Sequence, residues 1–449
     1  MNNQGLNACL AALYRAMSSG PAIQTLPGFR DFYPQECATR NYLFSQWRDL
    51  CHRYGFHEYE GPILESTDLY RKKSGDEVVE QLFAFTDKGD REVSMRPELT
   101  PTLARMVAAR QREFKKPMRW FSIGPFFRFE RPQIAKGRLR EFYQFNCDII
   151  GEDSENVDAE ILSLSIDLML SLGFDQDDFV VRVSDRQAWI DFAEEAKVLD
   201  TETFLQVIDK MEREKEAKTE EKLSKLGTSL ESVKAFMAEG VAKVPRLARL
   251  FETLKAQGKD GFCKVDLGIV RGLAYYTGVV FEIFDKKHGL RAIAGGGRYD
   301  KLIHTLSDGK ANMPAAGFAM GDAVIGNLLE KTDEAKRRLT LFAEKTAAID
   351  VYAVIASEQQ RYAALDGIQQ LRDAGLRVHF SYTPAGVGKQ IKLAEQQNAR
   401  AAVIFGDEYP QINVKDLQMR QESTVDGIES MVETTKALLE NPHPGDLLA

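Results

Sequence analysis

Between Arg128 and Asp148 the chain reads RFERPQIAKGRLREFYQFNCD. This stretch holds guanidinium groups at Arg128, Arg138 and Arg140, and carboxylates at Glu130 and Asp148. It also holds a carboxamide at Gln144 and a ring at Phe142. In a strand from Glu141 to Ile150 alternate residues share a face, so Gln144 and Asp148 lie on the side of Phe142. A plain sheet has no use for that mixture. A pocket for a zwitterion and a polyphosphate does: acceptors for an ammonium, a guanidinium for phosphate, an aromatic face for a base.

Two further stretches carry chemistry. In SMRPELTPTLARMVA, Pro97 breaks the chain before a helix that starts near Thr100 or Pro101. Glu98-Leu99-Thr100 brings a carboxylate and a hydroxyl to that entrance, where they can cap the helix or hold a ligand. In VDLGIVRGLAYYTGVVFEIF, Arg271 stands between apolar runs and is followed by Tyr275 and Tyr276. A buried guanidinium needs a partner, either an anionic ligand or a structural carboxylate. Gly295-Gly296-Gly297, just before Tyr299, lacks the Gly-Lys-Ser/Thr ending of a phosphate loop. Three glycines in a strand suit close approach of a ligand or of another backbone.

Elements must position these groups. The aromatic-rich segments before Arg128 and after Arg140 predict an antiparallel hairpin with a long mobile tip, its first strand broken at Gly124-Pro125 and carrying Arg128 and Glu130. Leu43, Trp47 and Leu50 repeat at helical spacing from about Glu36 to Tyr54, and Gly55 ends the helix. A strand at Phe56–Tyr59 follows. Val157–Leu172 reads as an amphipathic helix, and Phe179–Val183, Val265–Val270 and Val279–Phe284 read as strands. Residues 186–259 are charged, helical and poor in aromatics, with favourable pairs at Glu214/Lys218 and Glu221/Lys225. They predict an inserted helical domain. Residues 331–347 read as a charged connector. Beyond it, strand and helix alternate from Ala348 to about Leu439, which predicts a small mixed or parallel α/β domain.

The chain has 449 residues, enough for two or three domains. It is 44% hydrophobic and 28% charged, as for an ordinary soluble protein, and no apolar run is long enough for a membrane span. The first twenty residues suit neither a signal nor a transit peptide and read as an N-terminal extension. Five cysteines without a CxxC pair argue against structural zinc and disulfides, and fit a reducing cytoplasm. A net charge of −8 confines any RNA contact to local basic patches.

The hairpin wording FRFERPQ…GRLREFYQF resembles motif 2 of class II aminoacyl-tRNA synthetases, and that of the histidyl-tRNA synthetase family in particular. RGLAYYTG and GGGRYDKL resemble the two histidine-specific motifs of that family, and LPGFRDFYP with the following helix and strand resembles motif 1, a dimer interface. The resemblance implies an α+β catalytic domain with an antiparallel sheet over residues 26–185 and 260–330, after an extension at 1–25. It implies a helical insertion at 186–259 that contacts the acceptor arm of tRNA, a linker at 331–347, and an α/β anticodon-binding domain at 348–449. Lys389 and Lys392, near a helix start in that last domain, are candidate RNA contacts or plain solvated lysines.

The implied reaction joins histidine to ATP as histidyl-adenylate and then transfers the histidyl group to the 3′ end of tRNA(His). A carboxylate nucleophile needs no base at neutral pH, so the first step calls for positioning and for stabilising phosphoryl charge. The resemblance carries that catalytic role to Arg128 and Arg271. It carries amino-acid binding to Glu98, Leu99, Thr100, Gln144, Asp148, Tyr275, Tyr276 and Tyr299. It carries ATP binding to Arg128, Glu130, Arg138, Arg140 and Phe142. Mg²⁺ is expected to come with ATP, without a protein site of its own, and the partners are tRNA(His), histidine, ATP and a second copy in a cytoplasmic homodimer. The chain departs from the family at Ala274, where Asp is usual, and in motif 3, where Ala323 and Val324 replace a glutamate and an arginine. Arg138, Arg140 or Mg²⁺ would have to compensate for Val324. A different reading is a non-catalytic relative, the histidine-sensing regulatory subunit of ATP phosphoribosyltransferase, which lacks the C-terminal domain.

Overall fold

The computed structural model describes residues 23–71, 79–271 and 275–440. Ala274 and most of the N-terminal extension lie outside them. The chain divides into two compact units between Leu339 and Thr340.

In the first unit the helix Pro34–Arg53 starts with proline at its first turn and ends where Gly55 takes φ +74°. The strands follow as β1 (His57–Glu58), β2 (Leu64–Ser66), β3 (Phe83–Thr86), β4 (Glu92–Met95), β5 (Met118–Phe127) and β6 (Glu141–Ile150). Then come β7 (Phe179–Asp185), β8 (Cys263–Val265), β9 (Val279–Asp285), β10 (Ala294–Arg298) and β11 (Ala315–Gly321). Eight of them form one sheet in the order β1-β5-β6-β11-β10-β9-β7-β8. It is antiparallel except at its two ends, where β1 runs parallel to β5 and β7 to β8. The order β2-β4-β3 makes a separate small sheet.

One face of the large sheet is core. Trp47 of the first helix stacks on Phe145 of β6 at 5.5 Å between ring centres, and both are fully buried. Burial of a ring like that of Phe145 contributes roughly 1.5–3 kcal/mol. The helix Glu155–Ser171, capped by the Ser154 side chain, packs beside the first helix. With the odd-numbered side of β6 committed to this core, Gln144, Asn146 and Asp148 face the other way.

Several expectations need correction. β5 does not break at Gly124-Pro125. These residues pair with Gln144 and Tyr143, and Arg96 fills the space above Gly124, where a Cβ would lie 2.1 Å from its Nη2. The fully buried Arg96 holds this region through Pro125 O, Gly61 O and Glu60 at 2.9, 2.9 and 2.5 Å. β5 ends at Phe127, so Arg128 and Glu130 lie in the loop rather than in the strand. Residues 266–270 form a turn and coil after a strand that stops at Val265, because Trp189 Nε1 takes Leu267 O that a ladder would need. The charged connector is a helix, Asp333–Ala347, with Glu334 pairing Arg337 and Arg338.

Residues 186–256 form the helices Arg186–Glu195, Thr201–Lys210, Glu216–Lys225, Leu230–Glu239 and Pro245–Ala256. Poor in aromatics overall, this segment links those of its first four helices, Trp189, Phe192, Phe204 and Phe236, through ring contacts of 4.9–5.8 Å.

The second unit has a mixed sheet of β12 (Val351–Ile355), β13 (Val378–Phe380), β14 (Ala401–Phe405), β15 (Gln411–Asp416) and β16 (Glu422–Asp426), in the order β13-β12-β14-β15-β16. The first three are parallel and the last two antiparallel. The polar edge strand β16 has no hydrophobic alternation to announce it. Lys389 and Lys392 are exposed on the helix Val387–Gln396.

Candidate active site

β5 and β6 pair from Met118↔Ile150 to Phe127↔Glu141. The loop between them closes on itself. Arg128 N donates to Arg140 O, Gln133 and Arg138 exchange backbone hydrogen bonds, and Gly137 turns the chain at φ +68°. This fixes the bases of both strands, and with them Arg128. The Arg128 Nε donates to Pro97 O at 3.0 Å, and its guanidinium lies 5.2 Å from the centre of the Phe142 ring.

Glu98, Thr100, Arg128, Gln144, Asp148, Arg271, Tyr275, Tyr276 and Tyr299 line one cavity on the face of the sheet away from the helical core. They arrive from a helix entrance, the loop after β5, β6, Arg271, the pair Tyr275-Tyr276 and the residue after β10. Glu98 and Thr100 do not cap their helix. Leu99 is its N-cap residue and no side chain caps it. Glu98 instead accepts a hydrogen bond from the Tyr275 hydroxyl at 2.8 Å. Leu99, expected at the amino acid, instead turns its side chain into the core, is 1% exposed and does not line the cavity.

The glycines make room. A Cβ on Gly295 would lie 1.6 Å from Arg271 Nη1, and one on Gly317 would lie 2.0 Å from Asp148 Oδ1. Arg271 thus lies flat on β10 and Asp148 on β11. The Arg271 backbone takes φ +61°, a left-handed conformation uncommon outside glycine.

Charge in the cavity is balanced within the chain. Arg271 pairs with Glu282 at 3.0 Å and lies over Tyr276 at 5.5 Å, so a structural carboxylate partners this arginine, while its buried Nε has no hydrogen-bond partner among the described residues. Burial works against its charge, but Tyr276 and Glu282 outweigh it and hold its pKa up. Asp148 accepts a 2.5 Å hydrogen bond from the Tyr299 hydroxyl. Burial pushes Asp148 up to about 7, against the opposing pull of that hydrogen bond. Tyr275 and Tyr299 are pushed well above the ordinary tyrosine value, first by burial and then by Glu98 and Asp148 respectively.

The remaining predicted residues sit in the loop and at its foot. Glu130 pairs with Arg138 at 2.6 Å. Arg140 Nε donates to Glu130 O at 3.0 Å, and its guanidinium lies 4.5 Å from the centre of the Phe129 ring. Phe142 stacks beside Phe126 and under Arg128.

Two residues were missed, Asn146 and Asp322. Asn146 lines the cavity between Gln144 and Asp148, and its Nδ2 has no hydrogen-bond partner among the described residues. Strand alternation alone places it there. Asp322, buried at the start of the helix Asp322–Leu329, binds Arg30 at 2.7 Å and accepts from Tyr143 N at 2.9 Å. It fastens the segment before the first helix to β6. Nothing in the spacing of Arg30, Tyr143 and Asp322 signals this.

A family model for histidyl-tRNA synthetase matches residues 28–323, and one for an anticodon-binding domain matches residues 350–438. The chain belongs to the histidyl-tRNA synthetase family. A histidine–tRNA ligase of Opitutus terrae is 40% identical over 438 residues, spanning 91% of this chain and 98% of the relative. One from Natronomonas pharaonis is 37% identical, spanning 89% and 95%. The fold is that of a histidyl-tRNA synthetase from Nostoc sp. PCC 7120, with a TM-score of 0.71 at 24% identity, over 93% of this chain and 100% of that one. Its class II catalytic sheet and separate C-terminal sheet are the architecture expected from motif 2.

Proposed function

We propose that this chain is a histidine–tRNA ligase that makes histidyl-adenylate from histidine and ATP and then charges tRNA(His). The observation that carries the reading is the convergence of Arg128, Arg271, Gln144, Asp148 and the three tyrosines on one cavity, in a chain of this family. Arg128 has its terminal nitrogens free to meet the α-phosphate, and Arg271 faces it across the cavity. Together they stabilise the charge that develops there. Glu98, Thr100 and Gln144 accept the ammonium of the amino acid. Asp148 and Tyr276 read the imidazole, with Tyr275 and Tyr299 holding the carboxylates in place. A buried carboxylate oxygen that an apolar side chain would leave without a donor discriminates against apolar amino acids. Phe142 stacks on the adenine, and Glu130 binds it from the loop. Mg²⁺ comes with ATP, held by phosphate oxygens and water.

A homodimer is supported by the exposed apolar side chains Ile63, Leu64 and Phe85 along the small sheet, which a second copy would cover. Cytoplasmic placement is supported by the unpaired Cys37, Cys51, Cys147 and Cys263. The regulatory-subunit reading has no use for the anticodon-binding match at 350–438. ATP–pyrophosphate exchange tests the proposal. It should depend on histidine and not respond to the other amino acids. No exchange in a folded, histidine-binding protein would favour the regulatory reading.

A further inference from the structure

Most arginines around the cavity mouth are already occupied. Arg271 pairs with Glu282, Arg138 pairs with Glu130, and Arg140 is held by Glu130 O and Phe129. Arg128 and Arg291, like Arg140, have no carboxylate partner among the described residues, and for Arg291 no backbone carbonyl holds the side chain there either.

Arg291 stands three residues before β10. Ala294, the first residue of β10, pairs with Met320 of β11, and Met320 pairs with Phe145 of β6. Past that edge, β11 opens into the helix Asp322–Leu329, and β6 leads back to the loop that carries Arg128. Arg291 therefore leaves the sheet at the edge where Arg128 and the loop leave it. The Arg291 side chain is exposed, yet partial loss of water and the like charges of Arg138, Arg128 and Arg213 push its guanidinium below the ordinary value, against the pull of Glu130. The helix that starts at this edge brings no cation. Its first turn packs Val324 against Gly137 of the loop, where a Cβ would lie 2.8 Å from Val324 Cγ2.

Like charges gathered at a cavity mouth repel one another until an anion joins them. We propose that Arg291 binds the outer phosphates of ATP, extending a track that begins at Arg128. The assignment rests on the ligase reading. It replaces Arg138 and Arg140 as the expected compensation for Val324, because both are held by partners within the loop. A planar, always charged guanidinium fits a polyphosphate through paired hydrogen bonds.

The test compares wild type, Arg291→Ala and Arg291→Lys. In histidine-dependent exchange, Arg291→Ala should raise the KM for ATP about 10- to 100-fold and leave the KM for histidine unchanged. Arg291→Lys should fall between the two. By calorimetry, Arg291→Ala should weaken ATP binding and leave AMP binding alone, since AMP lacks the outer phosphates. An unchanged KM for ATP beside an active wild type would overturn the assignment, as would equal loss of ATP and AMP affinity. If the wild type performs no exchange, the ligase reading fails instead, and the ATP-against-AMP comparison still decides the role of Arg291.

Discussion

The Tyr299 hydroxyl donates a 2.5 Å hydrogen bond to Asp148 Oδ1, and both side chains are buried on the floor of the cavity. The bond sets the acceptor lone pairs of Asp148 while burial holds its pKa up to about 7. A proton on Asp148 would remove its charge and leave the imidazole N–H a weaker acceptor.

The first prediction follows from that value. Between the ordinary aspartate value near 4 and about 7, the folded protein keeps a proton that the unfolded chain has released. The contribution of Asp148 to stability is greatest at the acid end of this window. It falls as pH rises, and levels off above about 7. Urea unfolding across that range should show wild type losing stability relative to Asp148→Asn as pH increases. A constant difference between the two proteins would mean that Asp148 is not perturbed.

Arg128→Ala and Arg271→Ala should each abolish measurable adenylate formation. Arg128 has no carboxylate to orphan, so its removal should leave the urea midpoint almost unchanged. Arg271→Ala leaves Glu282 without its partner at a partly exposed site, and should cost about 1 kcal/mol. Exchange near the wild-type rate in either variant would remove that arginine from the reaction.

Arg298 is stability machinery. Although it sits in GGGRYDKL next to Tyr299, it forks onto Asp158 with distances of 2.8–3.1 Å and also donates to Ser154 O. Both side chains are buried. Asp158→Ala leaves the buried guanidinium with only the longer 3.4 Å carboxylate contact to Asp300 and should cost about 3 kcal/mol. Denaturant unfolding measures this, and a loss below about 1 kcal/mol would contradict it.

The contrast between Arg298 and Arg128 shows where the sequence was readable. Residue types and order revealed the hairpin, the glycine-lined strand and most of the cavity wall, because strand alternation converts spacing directly into facing. Partners far apart in sequence were not readable. Arg96, two residues before Glu98, carries no sequence signal of its role, yet it is a buried staple for β5. Asp322 looks like an ordinary helix start, yet it ties Arg30 to Tyr143. Val265–Val270 has strand-like composition, but Trp189 claims its backbone. The connector reads as solvated charge until the i,i+3 and i,i+4 pairs of Glu334 are counted as helix support.

Removal of residues 340–449 should leave histidine-dependent exchange measurable, because every cavity residue precedes the division at Leu339. Charging of tRNA should fall strongly, because the lost part matches an anticodon-binding domain. Equal charging by the truncated and full-length proteins would defeat this division of labour.

The central claim is that the full chain is a ligase, not only a histidine-binding or adenylate-forming relative. Its most direct test is attachment of radiolabelled histidine to tRNA by the purified protein with ATP and Mg²⁺. The account predicts acid-precipitable label on tRNA(His), absent without ATP and absent on tRNAs for other amino acids. A folded protein that binds histidine and leaves tRNA(His) uncharged under these conditions would contradict it.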